Sequence, residues 1–158
     1  MNKDNQTMFK SIINVFEKYD KTDIPSYSTD TPVVDLVTED TISITNFFSM
    51  SDGVITQEEV DIYNDIFTSE KTAEELASYT SNEEEILSHI GKTFNIIALT
   101  EKELGIYHIK KTMIVPLIKF YESVARDIIS SSDRDDNSFD AYNRFFYKIE
   151  SALTAIPE

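Results

Sequence analysis

Apolar residues recur every three or four positions along most of the chain, which is the spacing of one face of an α-helix. The first such stretch covers residues 5–19, and the second runs from Pro32 to about residue 50 with Val33, Val37, Ile44 and Phe48 on one face. Small polar residues and Pro25 separate the two stretches and indicate a connector. Because Pro is common at the first position of a helix, Pro32 is predicted to open the second helix.

Three further helices are predicted to begin at capping boxes, in which a Ser or Thr is followed three residues later by Glu. The pairs are Thr56 with Glu59, Thr72 with Glu75, and Ser81 with Glu84. Acidic residues crowd the first turn of each helix, where the positive end of the helix dipole favours them.

The last third of the chain predicts two more amphipathic segments. One follows Gly105 and contains Pro116, which either kinks that helix or opens a new one. The other runs from about residue 138 to residue 153 and is rich in aromatic residues. No stretch alternates as a half-buried strand does, so the sequence predicts an all-α fold.

With 158 residues, the chain has the length of one domain. The predicted helices divide into an N-terminal helix and connector over 1–30, a first half over 31–80 and a second half over 81–158. An internal repeat supports the halves, because residues 61–67 and 140–146 share four of seven residues.

Two Asp-bearing loops can be compared with the twelve-position calcium loop of EF-hands. In the first loop, Asp52, Gly53 and Glu59 take positions 5, 6 and 12, whereas Phe48 and Met50 occupy positions 1 and 3 and cannot bind a hard cation. The first loop alone therefore lacks half of its ligands.

The second loop is the complement of the first. Asp133, Asp135 and Asn137 take positions 1, 3 and 5, but Ser138 replaces the Gly and Arg144 replaces the Glu. Two interpretations remain open. Either both loops contribute ligands to one cation, or each loop is a turn whose Asp, Gly and Thr residues start the next helix.

The stretch "SDGVITQEEVDIYNDIF" resembles the TerB-like tellurite-resistance domains, whose signature is Asp-Gly-x-Ile-x-x-x-Glu after an apolar helix end. This resemblance implies a bundle of about seven helices in two similar halves. It also implies a divalent cation, calcium or magnesium, near Asp52, Glu59, Asp133 and Asp140. The second half departs from the signature, since it has no Asp-Gly pair.

The chain carries 29 acidic and 14 basic residues, which gives a formal net charge of -15 and a pI of about 4.4. Such a charge repels nucleic acid and anionic lipid surfaces, and it attracts basic proteins and divalent cations. It also keeps a protein soluble. The chain has no cysteine, which removes disulfides, thiolate nucleophiles and the common zinc sites.

No stretch has the roughly 20 apolar residues that span a bilayer, and the amino terminus lacks the apolar core of a signal peptide. The sequence therefore predicts a cytoplasmic protein without membrane insertion. The two histidines, His89 and His108, are far apart, and Glu85 precedes His89 by four residues, where a bundle di-metal motif needs three. Without a Gly-rich phosphate loop or a nucleophile motif, no enzyme activity is predicted.

Two functions from different classes agree with these features. The first is a non-enzymatic TerB-like binding or adaptor protein of a bacterial stress-response or secretion assembly, with a basic or membrane-associated protein complex as its partner. The second is an acidic immunity or anti-defence protein, from a bacterium or phage, that inhibits a basic nuclease by mimicking the charge of nucleic acid.

Overall fold

Seven α-helices account for most of the residues that the computed structural model describes, which are 4–21, 31–50, 55–78, 82–105, 113–131 and 136–154. The helices are α1 (Asp4–Asp20), α2 (Val33–Ser49), α3 (Gln57–Phe67), α4 (Ala73–Ala77), α5 (Glu83–Glu103), α6 (Ile114–Ser131) and α7 (Asp136–Thr154). These residues contain no strand, so the prediction of an all-α bundle is confirmed. The division into two similar halves stays a prediction.

Helices α2 and α6 form the centre of the bundle. They pack against each other, and each of them also contacts α1, α3, α5 and α7. The short helix α4 packs on α3 at the periphery. In the part of the chain that the structure describes, no helix combines the length and the apolar character that crossing a membrane requires.

The apolar face of α2 is buried as its helical spacing predicts. Val37, Ile44 and Phe48 of α2 lie in one large core with side chains from α1, α5, α6 and α7. A smaller cluster of Val60, Tyr63 and Leu76 lies between α3 and α4. Phe67 of α3 packs against both the large core and the small cluster.

The capping boxes of α3 and α4 are confirmed. The Thr56 hydroxyl accepts from the Glu59 backbone N–H at 3.2 Å, and Glu59 Oε1 accepts from the Thr56 N–H at 2.8 Å. Thr72 and Glu75 make the same reciprocal pair, with both distances at 3.2 Å. Each box satisfies two backbone donors that have no partner within the helix.

The predicted cap of α5 was wrong by one residue. Asn82, rather than Ser81, is the N-cap, and its side-chain oxygen accepts from the Glu85 N–H at 2.8 Å. Asn is at least as good an N-cap as Ser, and its amide also donates to the Glu85 carboxylate at 3.0 Å. Ser81 itself lies outside the described residues.

Two prolines mark helix starts in different ways. Pro32 was predicted to be the first residue of the second helix, but it is the N-cap of α2, directly before the first helical residue, and its side chain makes no capping hydrogen bond. The Asp20 carboxylate at the end of α1 replaces that function, accepting from the N–H groups of Val33 and Val34 at 2.8 and 3.0 Å. Pro116 lies in the first turn of α6, which agrees with the second of the two alternatives for this residue, that it opens a new helix rather than kinking one.

At the same end of α1 as Asp20, a buried carboxylate connects α5 to α1 and to the residue before α6. Glu101 Oε2 accepts from the Tyr19 hydroxyl at 2.8 Å and from the Met113 backbone N–H at 3.0 Å. Burial, with the nearby Glu101 carboxylate, raises the pKa of the Tyr19 hydroxyl well above its usual value. The end of α5 is thus fixed to α1 and to the residue preceding α6.

Candidate functional site

The four acidic residues of the predicted cation site fall into two groups. Asp52 and Asp133 lie outside the described residues, as does Gly53. Glu59 is in the first turn of α3, where its carboxylate belongs to the capping box and only 1% of the residue is exposed. Asp140 is exposed on α7.

Glu59 caps a helix, as the turn-and-cap interpretation predicts, because its Oε1 accepts a hydrogen bond from the Thr56 N–H. Across the described ranges, no three or more His, Asp or Glu side chains form a group that could hold a metal ion. With two of the four residues outside these ranges, the cation site at the loops stays a prediction.

The negative charge is concentrated on one part of the bundle. Residues 55–78, which contain α3 and α4, include seven carboxylates and a single basic residue, Lys71. Five of these carboxylates are exposed, and we call them the acidic α3–α4 surface: Glu58, Asp61, Glu70, Glu74 and Glu75. Lys71 contacts the Glu75 carboxylate at 3.6 Å, and residues 55–78 contain no second basic residue to offset the other carboxylates.

Two basic side chains of α7 form ion pairs with a carboxylate of α5. Arg144 and Lys148 both contact the Glu83 carboxylate of α5 at 3.1 Å. These contacts join α5 and α7 across the bundle surface. The two positive charges on α7 are therefore partly neutralised by Glu83.

A polar cluster that the sequence did not reveal lies where α2 meets α5. Asp40 is 1% exposed, and its Oδ1 is hydrogen-bonded to His89 Nδ1. The other ring nitrogen of His89, Nε2, lies 3.6 Å from Glu39 Oε2. The side chains of His89 and Glu39 are 39% and 61% exposed, so the cluster extends from the interior to solvent.

Burial is the main influence on the Asp40 carboxyl. It raises the pKa of Asp40 to about 6, although Thr93 and His89 both act in the opposite direction. Glu39 adds a smaller upward effect through charge repulsion. Tyr121 of α6 is fully buried, and its burial and the Asp40 charge both raise the pKa of its hydroxyl.

The arrangement of the cluster orients the His89 ring. When Nδ1 carries the hydrogen that Asp40 accepts, the neutral imidazole presents the Nε2 lone pair toward Glu39 and solvent. An imidazole with a fixed tautomer and an exposed lone pair can accept a proton or bind a metal ion.

One signal in the sequence could have revealed this cluster. Asp40 lies three residues after Val37 and four before Ile44, so it falls on the apolar stripe of α2. A carboxylate at such a position must be buried, and a buried carboxylate needs a partner. The spacing of Glu85 and His89 does not indicate this partner, because Asp40 lies on a different helix.

Comparison of the chain with models of protein families, with curated proteins and with solved structures gives no match in any of the three. Function therefore has to be inferred from the charges and contacts of the chain itself.

Proposed function

We propose that the chain is a non-enzymatic binding or adaptor module of the TerB-like type, which holds a basic protein partner against the acidic α3–α4 surface. The observation that carries the proposal is the charge distribution. Residues 55–78 contain seven carboxylates and one lysine in a chain whose net charge is -15. A field of one sign steers an oppositely charged partner to the surface that produces it.

The local structure supports a rigid acidic surface. Helix α3 is anchored at its start by the Thr56–Glu59 capping box and on its buried side by Val60 and Tyr63. Helix α4 begins with a capping box of its own and buries Leu76 in the same cluster. The exposed carboxylates of both helices are thus held on ordered backbone, which lowers the entropy cost of binding.

The proposal predicts a capture of basic proteins that depends on salt and on this surface. Immobilised wild-type chain should retain proteins of high pI from a bacterial extract at about 50 mM salt, and most should be released at about 500 mM because screening shortens the Debye length. The variant Glu58→Lys with Glu74→Lys should retain much less. The matched control, Asp140→Lys with Glu150→Lys, makes the same charge change on α7 and should retain as much as wild type.

Mass spectrometry and circular dichroism complete this experiment. The retained proteins should be basic, and both variants should keep the helical spectrum of wild type. Equal capture by the two variants, or capture that survives high salt, would show that the acidic α3–α4 surface is not the binding surface.

The acidic α3–α4 surface also supports the second function, an immunity or anti-defence protein that mimics the charge of nucleic acid. A surface with five exposed carboxylates and a single lysine resembles the charge of a nucleic-acid backbone, to which basic nucleases bind. The retained partner separates the two functions. A captured nuclease whose activity falls on binding supports an immunity or anti-defence role, whereas a captured protein without nuclease activity supports the adaptor role.

The cation role implied by the TerB resemblance is tested by calcium and magnesium separately. Because Glu59 serves as a cap, we expect millimolar calcium or magnesium to leave the melting temperature unchanged, and Asp52→Asn and Asp133→Asn to melt as wild type does. A cation held by both loops would instead raise the melting temperature by mass action, and either substitution would abolish the rise.

A further inference from the structure

The cluster of Asp40, His89 and Glu39 has no role in the proposed binding of a basic partner, since it lies between α2 and α5. We propose that His89 and Glu39 form a surface site for a zinc-type transition-metal cation, in which Asp40 is the positioning residue of the His89 ring. The site goes beyond the adaptor function and differs from the Asp-bearing loops in its residues and in its choice of metal.

The distance between the two ligand atoms fits a shared metal ion. His89 Nε2 and Glu39 Oε2 are 3.6 Å apart. Zinc binds imidazole nitrogen and carboxylate oxygen at about 2.0–2.2 Å, so an ion placed between these atoms would subtend an angle of about 120°, near the tetrahedral value. Glu39 is exposed enough to adjust its side chain without moving α2.

Asp40 supplies the feature that is typical of histidine ligands. A metal-binding imidazole almost always donates its other N–H to a carboxylate or carbonyl, which fixes the tautomer and raises the basicity of the ligand nitrogen. His89 Nδ1 contacts Asp40 Oδ1 in this manner. The carboxylate is held on α2 and is buried beside Thr93, so it cannot turn to solvent as an exposed aspartate would.

The ligand types determine which cation the site prefers. Imidazole nitrogen selects zinc, copper or nickel over calcium and magnesium, which prefer oxygen ligands. The described residues provide no group of three or more ligands, so water completes the coordination of an ion held by His89 and Glu39. Such a site is exchangeable and weaker than the four-ligand sites that hold structural zinc.

Zinc titration by calorimetry, with the imidazole ¹⁵N resonances of the two histidines followed by NMR, tests the proposal. Wild type should bind one zinc ion per chain and shift the Nε2 resonance of His89. His89→Gln should lose this binding. The matched control is His108→Gln, which removes the only other histidine and should leave the affinity unchanged.

Two further variants separate the ligand from the positioning residue. Glu39→Gln removes one ligand charge and should weaken zinc binding. Asp40→Asn leaves both ligand atoms in place and should weaken it about 10- to 100-fold, because the ring loses its carboxylate partner. Calcium at the same concentration should leave the His89 resonance unmoved.

Three results would overturn the proposal. The first is zinc binding that survives His89→Gln. The second is binding that is lost with His108→Gln instead. The third is the absence of any zinc-dependent shift of the His89 resonance in wild type, which would leave His89 and Glu39 as a surface ion pair that forms when the ring is protonated.

Discussion

Replacing Phe48 by alanine is expected to lower the free energy of unfolding by about 3 to 5 kcal/mol, the range for a fully buried phenylalanine. Phe48 is 1% exposed in the core between α2 and α7. Its ring contacts three aromatic rings of α7, those of Tyr142, Phe145 and Phe146, with centroid distances of 6.3, 5.4 and 5.9 Å. Alanine would leave a cavity and remove these contacts together.

Urea denaturation followed by circular dichroism measures this loss. Phe139→Ala is the matched control, because Phe139 is also aromatic and helical but is 44% exposed on α7. The control should change the free energy of unfolding by less than about 1 kcal/mol. Similar losses in the two variants would contradict the position of Phe48 at the centre of the contact between α2 and α7.

The contrast between these phenylalanines shows what the sequence could predict about the fold. Val37, Ile44 and Phe48 recur at helical spacing, so a single stretch of sequence determines which face of α2 is buried. Capping boxes are equally local, since a Thr and a Glu three residues apart suffice to locate the start of α3.

The sequence pattern did not predict contacts between residues that are far apart along the chain. The Asp20 carboxylate caps α2 from 13 residues away, and nothing in the local pattern distinguishes it from other acidic residues at a helix end. The hydrogen bond between Asp40 and His89 joins residues 49 positions apart. Only the packing of α2 against α5 determines that these two side chains meet.

The predicted site residues show the same limit. Glu59 was identified as acidic and as a cap from local sequence, and its capping role is confirmed. Whether it also belongs to a cation site depends on the relative positions of two loops, which local patterns do not determine. The acidic surface, in contrast, could be predicted from local sequence. The excess of carboxylates in residues 55–78 is visible there, and the helical periodicity determines which of them are exposed.

Asp40 gives the second large expected effect, a loss of stability as the pH rises. The folded-state pKa is about 6, above the value of about 3.9 for an exposed aspartate. The native state therefore binds more protons than the unfolded state between about pH 4 and 6, and stability falls with rising pH in this window. A difference of about two pKa units corresponds to about 3 kcal/mol for a group this deeply buried.

Asp40→Asn isolates this contribution, because asparagine has nearly the same shape and does not titrate. The difference in unfolding free energy, wild type minus variant, should fall by about 2 to 3 kcal/mol between pH 4 and 6.5 and stay constant above that. Urea denaturation at intervals of half a pH unit measures it. A difference that is constant across the range, or that grows with pH, would mean that burial does not raise the Asp40 pKa.

His89 influences the pH range over which the contribution of Asp40 to stability is lost. Its hydrogen bond and its charge both lower the pKa of Asp40, whereas Glu39 and burial raise it. In a His89→Ala background the two lowering effects disappear, so the stability difference caused by Asp40→Asn should continue to fall to a higher pH than in wild type. An unchanged window would show that His89 does not favour the charged carboxylate. The hydrogen bond between Asp40 and His89 would then have no electrostatic influence on the α2–α5 interface.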